Sequence, residues 1–314
     1  MYQLNLGSIT AFCQACFGTF LLRYEVFEHY VSEDPMERME MKNVIITGAA
    51  GLLGSHVVTA FRDKGYAVTA MDAVETEGCL KVDLTKLDSA IEAFSHADCV
   101  AHIASIPRPV GYEASDIFST NMQLMFNVQA AMEHNGIDRL VFASSFSVLG
   151  LPFAPRPVKI QYFPVDERHP VAPQDVYAVT KWLGEEMVEA WVNRTGGAAA
   201  SIRMPWIQTA ASFPKDVVPR RTRTESGLDL WAYIDARDAA SAFVAAAEAD
   251  LKGHRRFFIS AADTYSEEPT RALLEKTYPG VACMSELDGF SAVISNSAAE
   301  KIIGFKPEHS WREY

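Results

Sequence analysis

The stretch from Lys42 to Asp72 constrains the fold more than any other part of the chain. It opens on an apolar, β-branched run (Val44, Ile45, Ile46, Thr47). Gly48, Gly51 and Gly54 follow at three-residue spacing, and a helix-spaced segment from His56 to Asp63 is closed by Gly65. A second apolar run from Tyr66 to Met71 ends in Asp72. Strand, glycine turn, helix and strand within about thirty residues form the unit that holds a dinucleotide. One glycine permits the tight turn, one lets the backbone approach a pyrophosphate, and one lets helix and strand pack closely. The helix N-terminus then offers unpaired N–H groups to the anion. Three glycines alone would signify only a turn. The flanking strand and helix, and an acid eighteen residues past Gly54, favour the dinucleotide.

Asp72 also bears on which dinucleotide. A carboxylate at the end of the second strand accepts hydrogen bonds from ribose hydroxyls and repels a 2′-phosphate. Ala73, Val74 and Glu75 follow it, with no Arg or Lys to receive that phosphate, so NAD is preferred over NADP. The alternative is an ordinary turn aspartate.

Lys81-Val82-Asp83-Leu84 reads as a strand end with Asp83 near an adenine. Cys99 to Ala104 and Arg139 to Ser144 read as further strands, and the helix between them carries Asn121, Met122, Met125, Phe126 and Val128. Strands and helices alternating at this spacing make an α/β fold, a doubly wound parallel sheet covered on both faces. Ligands of such sheets sit at the carboxyl ends of the strands, where Gly48, Asp72, Ala104 and Ser145 should meet.

Composition removes other classes. With 28 Lys+Arg against 40 Asp+Glu the net charge is −12, and no basic stripe is present to neutralise a phosphate backbone, so nucleic acid is not an expected partner. No apolar run is long enough to span a bilayer, so no membrane association is expected. Five scattered cysteines make no disulfide framework and fit a reducing cytoplasm. Cys13 and Cys16 form a C-x-x-C without a second pair or His partner at finger spacing, so no metal is expected. Residues 1–22 carry no charged side chain, and the expectation for 1–40 is an appended or mis-assigned start, with the functional chain beginning near Met41.

Tyr177 and Lys181 stand at i and i+4 on one helical face. A phenol holds its proton up to about pH 10, too high for a base at neutrality. An adjacent ammonium favours the phenolate. Y-x-x-x-K is a common accident taken alone, but this one follows the fifth strand, with Ser144 and Ser145 upstream. A serine at that strand tip can share a substrate oxygen with the tyrosine.

The glycine turn, Asp72, Asp83, Asn121, the run Ala143-Ser144-Ser145-Phe146-Ser147-Val148-Leu149-Gly150 and the Tyr177/Lys181 pair together resemble the extended short-chain dehydrogenase/reductases. More narrowly they resemble the NAD-dependent epimerase/dehydratase family. Trp231 to Asp238 is similar to that family's later strand-helix signature, and Ile302, Gly304 and Pro307 to its closing motif, so the likeness runs from about Lys42 to the end. It implies a Rossmann-type core over 41–203 and a small C-terminal substrate lobe mainly over 204–314, with 233–261 returning to the core. It implies that Tyr177 is the acid/base, that Lys181 grips the nicotinamide ribose and lowers the Tyr177 pKa, and that Ser145 orients the reacting oxygen. Alignment back from Gly150 selects Ser145 over Ser144. The implied NAD contacts are Gly48, Gly51, Leu52, Leu53, Gly54, Asp72, Asp83, Leu84, Ala104 and Asn121, with Tyr177 and Lys181. The family also implies a homodimer, for which Met122, Met125, Trp182 and Met187 on two helices are candidates; the same residues can face the sheet instead.

Departures from the family pattern narrow the reaction. The dehydratases carry an Asp-Glu pair where Phe146-Ser147 stands here, and the decarboxylases a Glu. Nucleotide-sugar epimerases place an Arg where Trp231 stands and an Asn in the stretch Arg203 to Gln208, which has none. Arg220, Arg221, Arg223 and Lys215 remain as cations for a diphosphate, or as a solvated loop. Uronate dehydrogenases end similarly but carry Asn-His at Phe146-Ser147. Substrate contacts are expected from Ser105, Phe146, Ser147, Trp206, Arg221 and Trp231, the tryptophans and Tyr233 being equally suited to a core. His102 reads as a packed strand histidine. The reading is an NAD-dependent oxidoreductase acting on a secondary hydroxyl or ketone of a sugar, sugar acid or polyol, with Tyr177 taking the proton as hydride passes to the nicotinamide. A sugar or nucleotide-sugar 4-epimerase with retained NAD is the alternative, and a non-catalytic NAD-sensing regulator a more distant one.

Overall fold

The computed structural model describes residues 41–223 and 228–314. Residues 1–40, which the sequence reading takes as an appended start, and the C-x-x-C within them lie outside the described residues. In chain order the elements are β1 (Asn43–Thr47), α1 (Leu52–Asp63), β2 (Ala67–Asp72), β3 (Leu80–Lys81), α2 (Leu87–Ala93), β4 (Cys99–His102), α3 (Ala114–Asn135) and β5 (Arg139–Ser145). Then follow β6 (Tyr162–Phe163), α4 (Val176–Thr195), β7 (Ala198–Met204), β8 (Trp206–Gln208), β9 (Tyr233–Asp235), α5 (Ala236–Glu248), β10 (His254–Phe258), α6 (Thr270–Thr277), β11 (Ala282–Cys283) and α7 (Ser297–Ile303).

Seven strands form one parallel sheet in the order β10-β7-β5-β4-β1-β2-β3. This is the doubly wound sheet that the alternating pattern implies. Its inner strands are apolar without alternation because both faces are covered. Successive residues still part to opposite layers. Val44 and Ile46 of β1, and Val141 and Ala143 of β5, join Val57, Phe61 and Phe243 in one core. Ile45, Leu140 and Phe142 join Leu124, Val128, Val188 and Trp191 in the other.

Strand order reverses between β1 and β4, because the chain runs out to β3 and returns through α2 to the far side of β1. The loops after β1 and β4 therefore part at that point and open a crevice at the carboxyl edge. Beyond that edge lies a third core built from Phe146, Phe163, Phe213, Trp231, Tyr233, Tyr265 and Trp311. The short pairs β6–β11 and β8–β9 stand beside it. After β9 the chain returns through α5, and β10 closes the main sheet against β7.

Met125, a candidate for a subunit interface, is instead 2% exposed in the sheet-facing core. The exposed aromatics of α3 are Phe118 and Phe126. No helix among the described residues is long and apolar enough to cross a membrane.

Candidate active site

Gly48 ends β1 with a φ of 71°, a backbone state that side chains disfavour. A Cβ placed there would lie 2.6 Å from the Ala104 amide nitrogen, so only glycine lets the two loops of the crevice touch. Gly54 is tighter: a Cβ would sit 2.0 Å from the Gly48 carbonyl oxygen. Gly51 is the N-cap of α1 and supplies no side-chain hydrogen bond, which leaves the first N–H groups of the helix, at Leu52, Leu53 and Gly54, facing the crevice mouth. Leu53 is buried in the core and Leu52 is exposed, so their backbone is what the site uses.

Asp72 fixes this turn. Its Oδ2 accepts from the Ala50 amide at 3.0 Å and its Oδ1 from Val74 at 3.3 Å. Thr47, which the sequence did not single out, joins the two tips. Its Oγ1 accepts from the Ile103 and Ala104 amides at 3.1 and 3.2 Å. Its own proton is therefore left for His102 Nδ1, 2.9 Å away. Burial and the nearby Lys181 push the His102 pKa down to about 3, so this residue is a neutral packing element.

Other implied cofactor contacts are used within the chain. Asn121 accepts from the Ile106 amide at 2.7 Å and donates to the Ile106 carbonyl and to Thr180 Oγ1, clamping the loop after β4 onto α4. Asp83 is exposed and accepts from Thr85, whose hydrogen bond holds its carboxyl below the usual range. Leu84 is buried, and its carbonyl accepts from Asn127 Nδ2 at 2.9 Å.

The proton-handling groups converge at the tips of β5 and α4. Asp175 caps α4 by accepting from the Ala178 amide at 2.9 Å, which sets Tyr177 at the first helical turn. Ser145 Oγ accepts from the Ser147 amide at 3.1 Å, and its hydroxyl meets Tyr177 in a hydrogen bond that favours the phenolate. Lys181 is buried. It donates to the Ala143 carbonyl at 2.8 Å and to Ser105 Oγ at 3.1 Å, and its Nζ lies 5.6 Å from the Tyr177 ring centre. The ammonium was expected to lower the Tyr177 pKa. Burial dominates instead, pushing Tyr177 up to about 12 and Lys181 down to about 7.

The sign of the lysine effect is testable. Between about pH 7 and pH 10 the unfolded chain carries a proton on Lys181 that the folded protein lacks, so this group makes stability rise with pH. Above about pH 10 the raised Tyr177 pKa acts in the opposite sense. Thermal unfolding of nucleotide-free protein should show a rising midpoint across the lower window. Lys181→Met should remove that part of the slope.

Ser144 and Ser145 have different partners. Ser144 Oγ donates to Glu185 at 2.5 Å. Glu185 is fully buried, pairs with Arg203 and Arg256, and holds the end of β5 against α4. Ser145→Ala should lower kcat by about 10²-fold or more. Ser144→Ala should cost about 1–3 kcal/mol of stability, since its hydrogen bond is to a charged group, with kcat within a few-fold. Chemical unfolding and initial rates on both variants read the contrast.

Several expected substrate contacts are placed otherwise. Ser105 serves Lys181. Phe146 is 4% exposed within the third core, and Ser147 is buried in the one-turn helix Phe146–Leu149. Trp231 is fully buried with a φ of 50°, its indole donating to the Arg223 carbonyl at 3.2 Å, so it is core. Tyr233 is likewise core. Arg221 is paired with Glu267 at 2.5 Å and also donates to the Val218 carbonyl. Trp206 is half-buried beside the sheet edge. Arg220 lies over its ring at 4.2 Å.

The glycine cradle, which any Cβ would fill, together with Asp72 and Lys181, fits a dinucleotide. Residues 44–259 match the model of the NAD dependent epimerase/dehydratase family. The chain belongs to that family. Among curated relatives, the L-arabinose 1-dehydrogenase (NAD(P)(+)) of Haloferax volcanii is 32% identical over 177 residues, 54% of this chain and 69% of that protein. A putative UDP-glucose 4-epimerase of Methanocaldococcus jannaschii is 28% identical, matching 55% of this chain and 58% of the relative. The uronate dehydrogenase of Pseudomonas syringae pv. tomato is 26% identical, matching 59% and 63%. Of solved structures, a short-chain dehydrogenase/reductase superfamily protein from Agrobacterium tumefaciens with bound NAD superposes with a TM-score of 0.67 at 22% identity, over 86% of this chain and 94% of that one. That likeness establishes the shared fold. Within the family, the crevice of this member keeps the tyrosine, the lysine and the serine together at the carboxyl edge of the sheet.

Proposed function

We propose that the protein is an NAD-dependent dehydrogenase that oxidises a secondary hydroxyl of a sugar, sugar acid or polyol. The observation that carries this reading is the convergence of Ser145, Tyr177 and Lys181 beside the glycine cradle at the reversal of strand order. The α1 N-terminus would hold the pyrophosphate, Asp72 the adenosine ribose hydroxyls and Lys181 the second ribose. When bound, NAD supplies an electron-pair acceptor with a positively charged ring. In its protonated form Lys181 has three N–H donors, two of them already used, which leaves one for a ribose hydroxyl. Ser145 and Tyr177 would orient the substrate hydroxyl, and Tyr177 Oη would take its proton as the phenolate, a form that the positive charge of a bound nicotinamide ring would favour against the burial that raises its pKa. The Ser145 hydrogen bond is the contact in this chain that lowers the phenol's pKa against its burial.

A buried Trp231, where epimerases of the family carry a diphosphate-binding arginine, supports a substrate smaller than a nucleotide sugar. The third core, beyond the sheet edge, is assigned as the substrate lobe. A homodimer through α3 and α4 is assigned on the exposed Phe118 and Phe126, and sedimentation equilibrium reads it. The free thiols of Cys79, Cys99 and Cys283 fit a cytoplasmic setting. The reading is tested by NADH formation on a panel of aldoses, uronates and polyols. Steady NADH production on at least one member supports it, and none on any member overturns it.

A further inference from the structure

We propose that Ser105 is a positioning residue for Lys181: its hydroxyl oxygen takes the place of a carboxylate partner, keeps the buried lysine in its ammonium form and aims the remaining N–H at the nicotinamide ribose. This deepens the dinucleotide part of the dehydrogenase reading and rests on it.

A buried ammonium is costly unless it is paired or hydrogen-bonded. Lys181 is 4% exposed, and no carboxylate pairs with it among the described residues. The titratable groups around it are neutral or engaged elsewhere. Tyr177, one turn earlier on α4, keeps its proton, and Asp175 beyond it caps the helix. His102 of β4 is neutral beside it, and the Phe142 ring of β5 lies 5.1 Å from Nζ. Glu185, one turn later on α4, is committed to Ser144, Arg203 and Arg256. The acceptors left to the ammonium are the Ala143 carbonyl at 2.8 Å and Ser105 Oγ at 3.1 Å. The carbonyl is main chain and accepts whatever the sequence; the second acceptor depends on residue 105.

The hydroxyl is held in place from both sides. The Ala104 amide before it is fixed by Thr47 Oγ1 at 3.2 Å. The Ile106 amide and carbonyl after it are fixed by the Asn121 side chain at 2.7 and 3.2 Å. Asn121 also donates to Thr180, the residue before Lys181, at 3.1 Å, so the serine and the lysine share one frame. Ser105 Oγ lies 3.4 Å from the Ile103 carbonyl, an acceptor for its own proton, which turns its lone pairs toward Nζ. Burial draws the Lys181 pKa down to about 7 even with both acceptors present, so losing one of them empties the ammonium form at neutral pH. A neutral amine has only two N–H donors, and none is then left over for the ribose.

The test compares the full-length protein with Ser105→Ala, Ser105→Val and Ser105→Thr; Val and Thr share a shape and differ by the hydroxyl. Calorimetric titration with NAD is run from about pH 5.5 to about pH 9, a range that brackets the lysine. Without the oxygen, Lys181 should lose its proton about one pH unit lower. The Kd for NAD of the Ala and Val variants should then be about tenfold weaker near pH 8 and almost unchanged near pH 5.5. Ser105→Thr should follow the unaltered protein within about threefold at every pH. In nucleotide-free Ala and Val variants the rise of the thermal midpoint with pH should begin about one pH unit lower, because the folded chain gives up the Lys181 proton earlier while the unfolded chain keeps it. Weakening by the same factor at every pH, or Val and Thr variants that behave alike, overturns the proposal. NADH formation on the sugar panel with an unshifted NAD profile defeats this inference and leaves the dehydrogenase reading standing. A shifted profile with no NADH from any sugar does the reverse.

Discussion

Tyr177→Phe should lower kcat on the order of 10³-fold while leaving the Kd for NAD within about threefold. The substitution removes one oxygen and keeps the ring, so the packing around this nearly buried side chain survives. What would be lost is the atom proposed to take the substrate proton, and with it the partner of the Ser145 hydroxyl. The glycine cradle and Asp72 lie on other elements, which is why affinity for the dinucleotide should persist. Initial-rate kinetics and an NAD titration on the same preparation separate the two effects. Turnover retained within tenfold would remove Tyr177 from the proton-handling role.

Gly54→Ala should act in the opposite manner, on binding and stability before chemistry. The added methyl would sit 2.0 Å from the Gly48 carbonyl oxygen and 2.8 Å from the Ala49 Cα. Both are backbone atoms and cannot rotate away. Relief requires α1 to move off the turn, at a cost of about 1–3 kcal/mol or more. That displacement carries the N–H groups of Leu52 and Leu53 away from the pyrophosphate position. NAD affinity should fall by at least about 30-fold, with a lower thermal midpoint for the free protein. A variant with unchanged affinity and midpoint would contradict the close approach of α1 to the turn.

The legible parts of this protein are those whose chemistry is local in sequence. The glycine turn, Asp72 and the Tyr177/Lys181 spacing each sit within one strand-turn-helix segment, where period and residue type suffice. The clamp of Thr47 on the loop after β4 joins residues more than fifty positions apart and left no local trace. Ser105 is expected at the substrate, but its partner Lys181 is 76 residues away and leaves no local signal. By sequence Phe146 reads as a substrate contact and Trp231 as either a substrate contact or core. Whether an aromatic ring lines a cleft or fills a core depends on the fold around it, and both fill a core. Arg221 and Arg220 are indistinguishable by sequence; Glu267 neutralises the first and Trp206 orients the second. The raised Tyr177 pKa is not legible in the sequence, because spacing reveals charges and hides burial.

Protein purified without added nucleotide, then assayed for bound dinucleotide and for net NADH on the sugar panel, tests the central claim most directly. The account predicts a site that empties on gel filtration, rebinds NAD saturably and forms NADH over many turnovers. About one NAD retained per chain, with sugar stereochemistry inverted and no net NADH, would contradict it and mark an epimerase.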